Sequence, residues 1–460
     1  MRRSPASTDR DAAMTQPASL SPTAAQGEAA LLRAVGAFAL TAAVINVIVG
    51  GGVFRMPTRL ATEMGSAAPL ALLAGALAII PIALCFSAVG SRTSATGGPY
   101  TYVSATFGAF AGFIAGALMW VSNVTSSAGV AAAYTEQVAK LFPAMADPGA
   151  RAGLLIGTYL LLFALNAFGV KLGARAIATL AALKLTPLFL LAGLGMFFVD
   201  WSLVSFDPGD VPSFGALGAS MVLVMFAYSG METALVPSGE VRNPARDVPR
   251  ATMAAILLVV LLYMGLQVVA QGVLGAGLAA STVPLADTAG ALWAPARTLL
   301  LLTACVSMLG FLMGNLLGSS RLLYALGRDG YLPSAIGQIN ARSRVPLLAL
   351  IAHAGIACGL ALAGNFDTLA LISGGAICLV YVLVSLSAWR AQRMDLRELG
   401  APFVLPGGPL IPAIAVLAMV AIVFTLTPAE WAAILIALAA LVLVYGGVTL
   451  TKRRADASAP

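Results

Sequence analysis

A chain of 460 residues that is 60% hydrophobic and only 10% charged cannot cover a water-facing surface with polar side chains, because a soluble domain carries about 25% charged residues. Its mean hydropathy of +0.93 indicates that lipid is the solvent for most of the chain. The excess of 26 Lys and Arg residues over 19 Asp and Glu residues does not predict nucleic-acid binding, because the basic residues lie in short gaps between apolar runs.

Twelve apolar runs are long enough for membrane-spanning helices, each of which needs about 20 residues. The sequence therefore predicts an all-α integral membrane protein with twelve spans, numbered in chain order. These spans cover residues 35–62, 67–90, 108–138, 152–170, 174–198, 214–237, 250–274, 296–325, 346–364, 367–389, 408–426 and 430–450.

The two ends of the chain are polar. Residues 1–32 are rich in Ala, Ser, Thr, Pro and Gln and contain no apolar run, which predicts a disordered cytoplasmic tail. Residues 33–451 form a single predicted transmembrane domain, and residues 452–460 form a short cytoplasmic tail. The four cysteines lie in apolar runs at spacings that suit neither a zinc site nor a disulfide framework, and the sequence predicts no metal and no cofactor.

The distribution of basic residues predicts the orientation of the spans. With the N-terminus in the cytoplasm, 20 of the 26 Lys and Arg residues fall at the inner ends of the spans, and Lys184 alone lies within one. The five at the outer ends are Arg55, Arg59, Lys140, Arg151 and Arg297. Because positive residues concentrate in cytoplasmic loops, both termini are predicted to be cytoplasmic and the chain to lie in the inner (cytoplasmic) membrane of the cell.

Span 1 contains three consecutive glycines, Gly50, Gly51 and Gly52. Each glycine costs about 1 kcal/mol in a helix interior. Small residues also serve close helix packing, but a triplet lets the helix unwind, and unwound backbone at bilayer depth occurs only where it is buried in protein or lines a cavity. The triplet therefore predicts a discontinuous helix. The half-helix after Gly52 would present free N–H groups to a carboxylate.

Span 6 carries a weaker interruption, in which Ser229 and Gly230 are followed by Glu232. Spans 1 and 6 occupy matching positions if spans 1–5 and 6–10 are two copies of one unit, and paired interrupted helices of this kind indicate the binding site of a transporter. Free carbonyls at the span 6 break suit an ammonium group. The two breaks together match the two charged ends of an amino acid.

Five motifs, in order along residues 35 to 346, resemble those of the amino acid–polyamine–organocation permeases. They are GGGVF at 50–54, GGPYTY at 97–102 with FG at 107–108, NAFGVK at 166–171, FAYSGME at 226–232 with GEVRNPARDVPR at 239–250, and RLLYA at 321–325 with RDGYLP at 328–333. Two departures stand out. Gly51 replaces a frequent serine, and Ala88-Val89-Gly90 stands where the family often has an acidic residue.

The resemblance implies a five-plus-five inverted repeat, with discontinuous spans 1 and 6 and two added C-terminal spans. It also implies that a substrate binds at the midplane between spans 1, 3, 6, 8 and 10, and that transport proceeds by alternating access. Since Gly51 supplies no hydroxyl, substrate recognition is expected to rest more on the backbone.

Lys184 lies in the middle of span 5. An ionisable residue at that depth is costly and marks an ion or proton pathway more often than a structural pair, although a lysine can also snorkel to the interface. In some permeases that this chain resembles, a lysine of span 5 takes the place of a sodium ion and links spans 1 and 8. We expect the ammonium group of Lys184 to reach carbonyls near Gly50 and polar groups on span 8, and its protonation to bias the conformation.

Further candidates come from spans 3, 6 and 8. Glu232 would bind a substrate amine or the freed backbone amides, and Phe226 and Tyr228 would form an aromatic lid or simply pack. The polar residues of spans 3 and 8 would line the site or join helices. The predicted substrate-binding residues are Ile48, Gly50, Gly51, Gly52, Asn123, Phe226, Tyr228, Ser229, Gly230, Glu232 and Asn315. His353 is expected to lie away from the site.

The leading functional hypothesis is a secondary active transporter for amino acids, coupled to a proton or to a counter-substrate. One alternative is an exchanger of polyamines or cationic amines that uses Glu232. An alternative of another class is a membrane sensor or accessory subunit that keeps the fold without moving substrate. No metal-ligand spacing, nucleophile motif or nucleotide-binding loop predicts an enzyme. The lipid bilayer is an expected partner, and the oligomeric state stays open.

Overall fold

A computed structural model describes residues 35–93, 96–167, 170–398 and 400–457, without the side chains of residues 170–178, 180, 181 and 452–457. The predicted disordered tail at residues 1–32 lies outside this part of the chain. The described residues are almost entirely helical. They contain no β-strand, only a single bridge between Val35 and Val241.

The α-helices are numbered in chain order, and each of the twelve predicted spans corresponds to one or two of them. Their bounds are α1 Ala37–Ile48, α2 Gly52–Met64, α3 Ala68–Gly90, α4 Pro99–Phe107, α5 Ala109–Leu141, α6 Pro148–Ala167, α7 Val170–Gly195, α8 Phe214–Tyr228, α9 Met231–Ala234, α10 Pro244–Leu274, α11 Pro284–Leu292, α12 Ala294–Arg328, α13 Leu347–Ala363, α14 Phe366–Arg393, α15 Leu410–Val423 and α16 Pro428–Ala457. Span 1 is α1 with α2, and span 6 is α8 with α9. The last helix continues six residues beyond the predicted boundary at 451.

Eight helical stretches of the described chain are long and apolar enough to cross a membrane. They are Gly52–Gly90, Ala109–Leu141, Pro148–Ala167, Phe214–Ala234, Pro244–Ala280, Ala294–Arg328, Phe366–Arg393 and Pro428–Thr451. Four shorter apolar helices lie at Ala37–Ile48, Ala182–Phe198, Leu347–Ala363 and Leu410–Val423. The all-helical class is therefore confirmed for the described residues, and the number of twelve spans stays a prediction.

Local sequence sets where several helices begin. The hydroxyl of Ser213 accepts a hydrogen bond from the amide of Ala216, and the side chain of Asn365 accepts one from the amide of Thr368. Both residues cap the first turn of the apolar helix that follows, α8 and α14 respectively. Pro244 occupies the first position of α10, where its missing N–H costs nothing.

The centre of the fold is built around span 1 and span 6. Helices α5 and α14 pack against each other, and α12 packs against both α5 and α7. Helix α10 lies beside α1 and α3. By contrast α16 lies at the periphery, where it contacts α5 and α14 and leaves residues such as Leu443 exposed. The interruptions of spans 1 and 6 are therefore surrounded by other helices.

Candidate functional site

Span 1 is interrupted at the glycine triplet. Helix α1 ends at Ile48 and α2 begins at Gly52, so Val49, Gly50 and Gly51 lie outside both helices. Val49 adopts φ −76° and ψ 77°, which breaks the helical hydrogen-bond ladder. The first N–H groups of α2 and the last carbonyls of α1 consequently lack helical partners.

The triplet is needed for close approach and not for unusual backbone angles, since none of the three glycines has a positive φ. A methyl group on Gly50 would lie 2.7 Å from the Phe311 ring of α12. On Gly51 it would lie 3.1 Å from Val130 of α5, and on Gly52 it would lie 3.3 Å from the Phe226 ring. Side chains from three different helices thus lie against three successive glycines.

The carbonyls freed at the break are bound by side chains from other helices. The ammonium group of Lys184, which is fully buried, donates to the carbonyl of Asn46 at 2.7 Å and to that of Val49 at 2.5 Å. The hydroxyl of Tyr263 donates to the carbonyl of Ile48 at 3.0 Å. A cation and a neutral donor therefore stabilise the negative end of α1.

Ser307 on α12 completes this set of donors. Its hydroxyl lies 3.0 Å from the carbonyl of Val49 and 3.1 Å from that of Gly50. Lys184 and Ser307 share Val49 as an acceptor, so spans 5 and 8 meet at the break in span 1. Neither Ser307 nor Tyr263 is among the residues predicted from the sequence.

Replacing Ser307 with alanine is expected to weaken the closed arrangement of the break by about 1 kcal/mol, because a buried carbonyl loses its donor. Uptake should fall several-fold, in proportion to that loss, while the protein still folds. Initial rates in proteoliposomes measure the effect. The matched control is Thr303→Val on the same helix, because the hydroxyl of Thr303 bonds only to Leu299 of its own helix. An equal fall in both variants would contradict the assigned role of Ser307.

One face of α12 lies against spans 1 and 6. Phe311 covers Gly50, Gly314 lies against Val47, and Gly318 lies against Thr233 of α9. The spacing of three and four residues places these positions on a single helix face. That face also brings the carbonyl of Gly310 to the side chain of Asn46, which donates to it at 3.2 Å.

Span 6 is interrupted between Tyr228 and Met231. Gly230 has φ 133°, a conformation that side chains disfavour, and a methyl group there would lie 2.8 Å from the backbone nitrogen of Ile48. The two interruptions are therefore in direct backbone contact. Ile48, Gly50, Gly51, Gly52, Ser229 and Gly230 form one cluster of predicted site residues.

Glu232 is buried beside the span 6 break, and both of its carboxylate oxygens are engaged. Oε1 accepts a hydrogen bond from the amide of Gly230 at 2.9 Å. Oε2 accepts one from the hydroxyl of Tyr381 at 2.8 Å. Of the two predicted roles of Glu232, the contacts match the binding of freed backbone. Tyr381, which is not among the predicted residues, ties span 6 to span 10.

The two aromatic residues of span 6 lie on opposite sides of α8. Phe226 faces the break, and its ring meets that of Phe366 edge-on with centroids 5.8 Å apart. Tyr228 stacks on Tyr263 at 5.6 Å and points its hydroxyl toward the carbonyl of Leu72 at 3.4 Å. The ring of Phe226 thus covers Gly52, whereas Tyr228 packs between spans 2 and 7.

The two predicted asparagines lie away from the glycine triplet. Asn123 accepts a hydrogen bond from Thr233 at 2.9 Å and lies two turns below Val130 on α5, about 10 Å along the helix. Asn315 points toward α13, where its side-chain oxygen lies 3.1 Å from Nε2 of the buried His353. His353 therefore contacts a predicted site residue, although nothing in its local sequence indicates that contact.

The end of the site that is predicted to face outward, at the first two turns of α2, is closed by charged and aromatic contacts. Arg55 forms an ion pair with Glu136 of α5, and its guanidinium lies 5.6 Å from the centre of the Phe366 ring. Arg59 lies 3.4 Å from Asp367. Phe226, Phe366 and Arg55 therefore form one layer of successive contacts over Gly52.

The opposite end, around Val35, is predicted to be the inner end and is closed as well. The amide of Val35 donates to the carbonyl of Glu240, and the amide of Arg242 donates to the carbonyl of Val35. Arg321 lies 3.5 Å from the carboxylate of Glu240. The backbone at the start of span 1 is therefore pinned to the loop after span 6.

A second inner contact joins α4 to the end of α12. The hydroxyl of Tyr100 donates to Asp329 at 2.5 Å. Burial and the adjacent Asp329 carboxylate raise the pKa of Tyr100 well above its usual value, so the phenol remains a donor at neutral pH. With both ends closed, the breaks lie in an enclosed centre.

Two apposed helix interruptions, enclosed by apolar helices long enough to cross a membrane, define a helical membrane transport protein. The chain belongs to the amino acid permease family, whose profile matches residues 35–448. The resemblance drawn from the five motifs is thereby confirmed, and the chain is a multi-pass membrane permease and not an enzyme.

Individual relatives are similar over most of their length. The branched-chain amino acid permease BcaP of Bacillus subtilis is 24% identical over 417 residues, which cover 86% of this chain and 88% of the relative. The serine/threonine exchanger SteT of the same organism is 27% identical, with 91% and 97% covered. The b(0,+)-type amino acid transporter 1 of Mus musculus is 25% identical, with 82% and 80% covered.

Proposed function

We propose that this protein is a secondary active transporter that moves amino acids across the cytoplasmic membrane by alternating access. The observation that carries the proposal is the arrangement at the span 1 break. Lys184 binds the carbonyl end of α1, which leaves the N–H groups at the start of α2 for the carboxylate of a substrate. The last carbonyls of α8 would receive the substrate ammonium group.

The contact between the two breaks supports a five-plus-five inverted repeat, and the distribution of basic residues supports twelve spans with both termini in the cytoplasm. In that arrangement spans 1 and 6 are equivalent elements. Gly230 touches Ile48, so a movement of one break requires a movement of the other. A substrate that binds both breaks would thereby couple its two charged ends to the closure of the site.

Lys184 is proposed to couple this cycle to a proton. Its ammonium group bridges span 5 to span 1, and Ser307 bridges span 8 to the same carbonyl. Loss of the proton would remove the positive charge that stabilises the end of α1, and the three spans would then be free to separate. Exchange of one amino acid for another is the alternative form of coupling, in which Lys184 keeps its proton throughout.

An exchanger of polyamines or cationic amines is less well supported, because it needs a carboxylate that is available to an amine. Glu232 is committed to Gly230 and Tyr381. A non-transporting sensor is also less well supported, since relatives over nearly the whole chain are named as a permease and an exchanger.

The proposal is tested by uptake into proteoliposomes against a panel of labelled amino acids. Each is measured with a pH gradient, without one, and with unlabelled amino acid inside. Accumulation driven by the pH gradient supports symport, and stimulation only by internal substrate supports exchange. Absence of uptake and counterflow for every amino acid, with a reconstituted and folded protein, would contradict the proposal and favour the sensor.

A further inference from the structure

A cleft of about 310 Å³ opens at the outer end of the fold, between the end of α5, the start of α6 and the loop after α10. Three basic residues line it, Arg55, Lys140 and Arg151, with Glu136 as the one acidic residue of its lining. These three are among the five basic residues that the sequence assigns to the outer ends of the spans. The predicted orientation in the membrane places these residues at the outer ends of the spans, but it does not require all three to line the same cleft.

The charges of the cleft are unbalanced. Glu136 forms an ion pair with Arg55 and lies 3.9 Å from Arg151. Arg151 is further oriented by a hydrogen bond from its Nε to the hydroxyl of Thr135, at 3.1 Å. Lys140 is exposed and forms no ion pair with a described residue. The lining therefore carries three cations and one carboxylate, which contacts two of them, and the cleft presents two positive charges in excess to an entering molecule.

The cleft lies directly above the glycine break. Arg55 follows Gly52 by one helical turn on α2, and Ala133 of the lining follows Val130 by one turn on α5. Val130 is the residue that covers Gly51. Because both helices run toward the outer end, the near edge of the cleft is displaced about 5 Å from the triplet, and Lys140, ten residues beyond Val130, lies about 15 Å along α5. Arg55 lines the cleft and contacts the Phe366 ring, which meets the Phe226 ring that covers Gly52.

We propose that this cleft is an outer capture site for the carboxylate of the substrate, an inference that rests on the proposed function. The carboxylate pairs with Lys140 and Arg151 before the aromatic layer opens, and it then moves inward by almost three turns of α5, about 15 Å, to the N–H groups of α2. An amine that lacks a carboxylate is repelled by the same charges. The cleft therefore selects for amino acids over decarboxylated amines at the entrance, before the central site takes part.

The test uses Lys140→Gln and Lys140→Glu, because Lys140 makes no ion pair with a residue in the described part of the chain whose loss would disturb the fold. Uptake is measured in intact cells of a transport-deficient host, where only the outer face meets added substrate. At an ionic strength of about 10 mM the KM should rise about threefold for Lys140→Gln and about tenfold for Lys140→Glu, with kcat unchanged. At about 0.3 M salt the difference should largely disappear, because screening shortens the range of the charges.

The matched control is Arg297→Gln, which removes one positive charge at the same predicted face. Arg297 is paired with Asp287 at 3.0 Å and does not line the cleft. Its KM should stay at the wild-type value. In Lys140→Glu, a decarboxylated analogue of the substrate should also become a better competitor than it is for the wild type.

Several outcomes overturn the capture site. They are an unchanged KM in Lys140→Glu at low salt, an equal change in Arg297→Gln, and an effect that does not depend on salt. A fall in kcat with constant KM would assign Lys140 a structural role instead. Any of these, with active wild-type protein, leaves the transporter proposal intact. Failure of the wild type to take up any amino acid overturns both proposals.

Discussion

Replacing Lys184 with alanine is expected to reduce amino acid uptake by more than about tenfold at every pH between 5 and 8. The substitution leaves the carbonyl of Asn46 without its donor and that of Val49 with Ser307 as its one remaining donor among the described residues. Each unpaired buried carbonyl costs about 1–3 kcal/mol, and a loss of 1.4 kcal/mol already corresponds to a factor of ten. Initial rates of uptake at stepped pH measure the effect.

Lys184→Arg should not restore transport, because a planar guanidinium cannot occupy the position of a compact ammonium group. Leu183→Ala is the control, since Leu183 precedes Lys184 on α7 and is 57% exposed. It should retain wild-type rates. If Lys184→Ala bound and transported substrate like the wild type at all pH values, the proposed coupling role of Lys184 would be wrong.

Gly230→Ala is expected to prevent assembly of the site. A methyl group would lie 2.8 Å from the nitrogen of Ile48 and 2.9 Å from the carbonyl carbon of Val47, both backbone atoms that cannot rotate away. The positive φ of 133° adds about 1–3 kcal/mol of strain for a residue with a side chain. We expect a loss of stability of at least about 2 kcal/mol. Thermal unfolding in detergent, followed by size-exclusion chromatography, measures that loss.

Gly153→Ala in α6 is the matched control for the same chemical change. A methyl group at Gly153 would meet no atom within 4 Å, and alanine is the better helix former. This variant should be as stable as the wild type or slightly more stable. Equal Tm values for Gly230→Ala and wild type would show that the two breaks are not held in contact as the structure has them.

Much of the architecture follows from local sequence. The apolar runs predict helices because a helix satisfies its own backbone in lipid, and the helices of the structure lie in all twelve runs. Gly50 to Gly52 and Ser229 to Gly230 predict the places where spans 1 and 6 are interrupted, because consecutive poor helix formers weaken a helix at one point. A lysine within an apolar helix likewise predicts a specific set of contacts, because the buried ammonium group of Lys184 needs hydrogen-bond acceptors.

The remaining contacts depend on how distant helices face one another. Ser307, Tyr263 and Tyr381 look like ordinary small or aromatic residues of apolar helices, and nothing in their local sequence shows that they bind the breaks. One signal is present in the spacing of Ser307, Phe311, Gly314 and Gly318 along a single face of α12. Its meaning depends on the packing of this face against span 1, which local sequence does not specify.

The two predicted asparagines show the opposite case, in which the residue type attracts a prediction but the packing decides the role. Asn123 and Asn315 are predicted site residues because polar side chains within a membrane line a site or join helices. Asn123 is bound to Thr233 and Asn315 contacts His353, so each joins two helices in this structure. The rotation of a helix about its axis decides whether a polar side chain lines the site or joins two helices. A fully apolar helix gives no sequence signal of that rotation, because each of its faces is compatible with burial or with lipid.

The central claim is that the N–H groups at the start of α2 hold the substrate carboxylate. Inhibition of substrate counterflow by analogues that lack the carboxylate tests it most directly. Proteoliposomes loaded with an unlabelled substrate amino acid take up the labelled form, and the free amino acid, its methyl ester and its decarboxylated amine are added outside in turn. The free amino acid should compete fully, whereas the ester and the amine should compete at least about tenfold more weakly, because each lacks the charge that the helix end stabilises. Equal competition by all three compounds would contradict a carboxylate site at the glycine break.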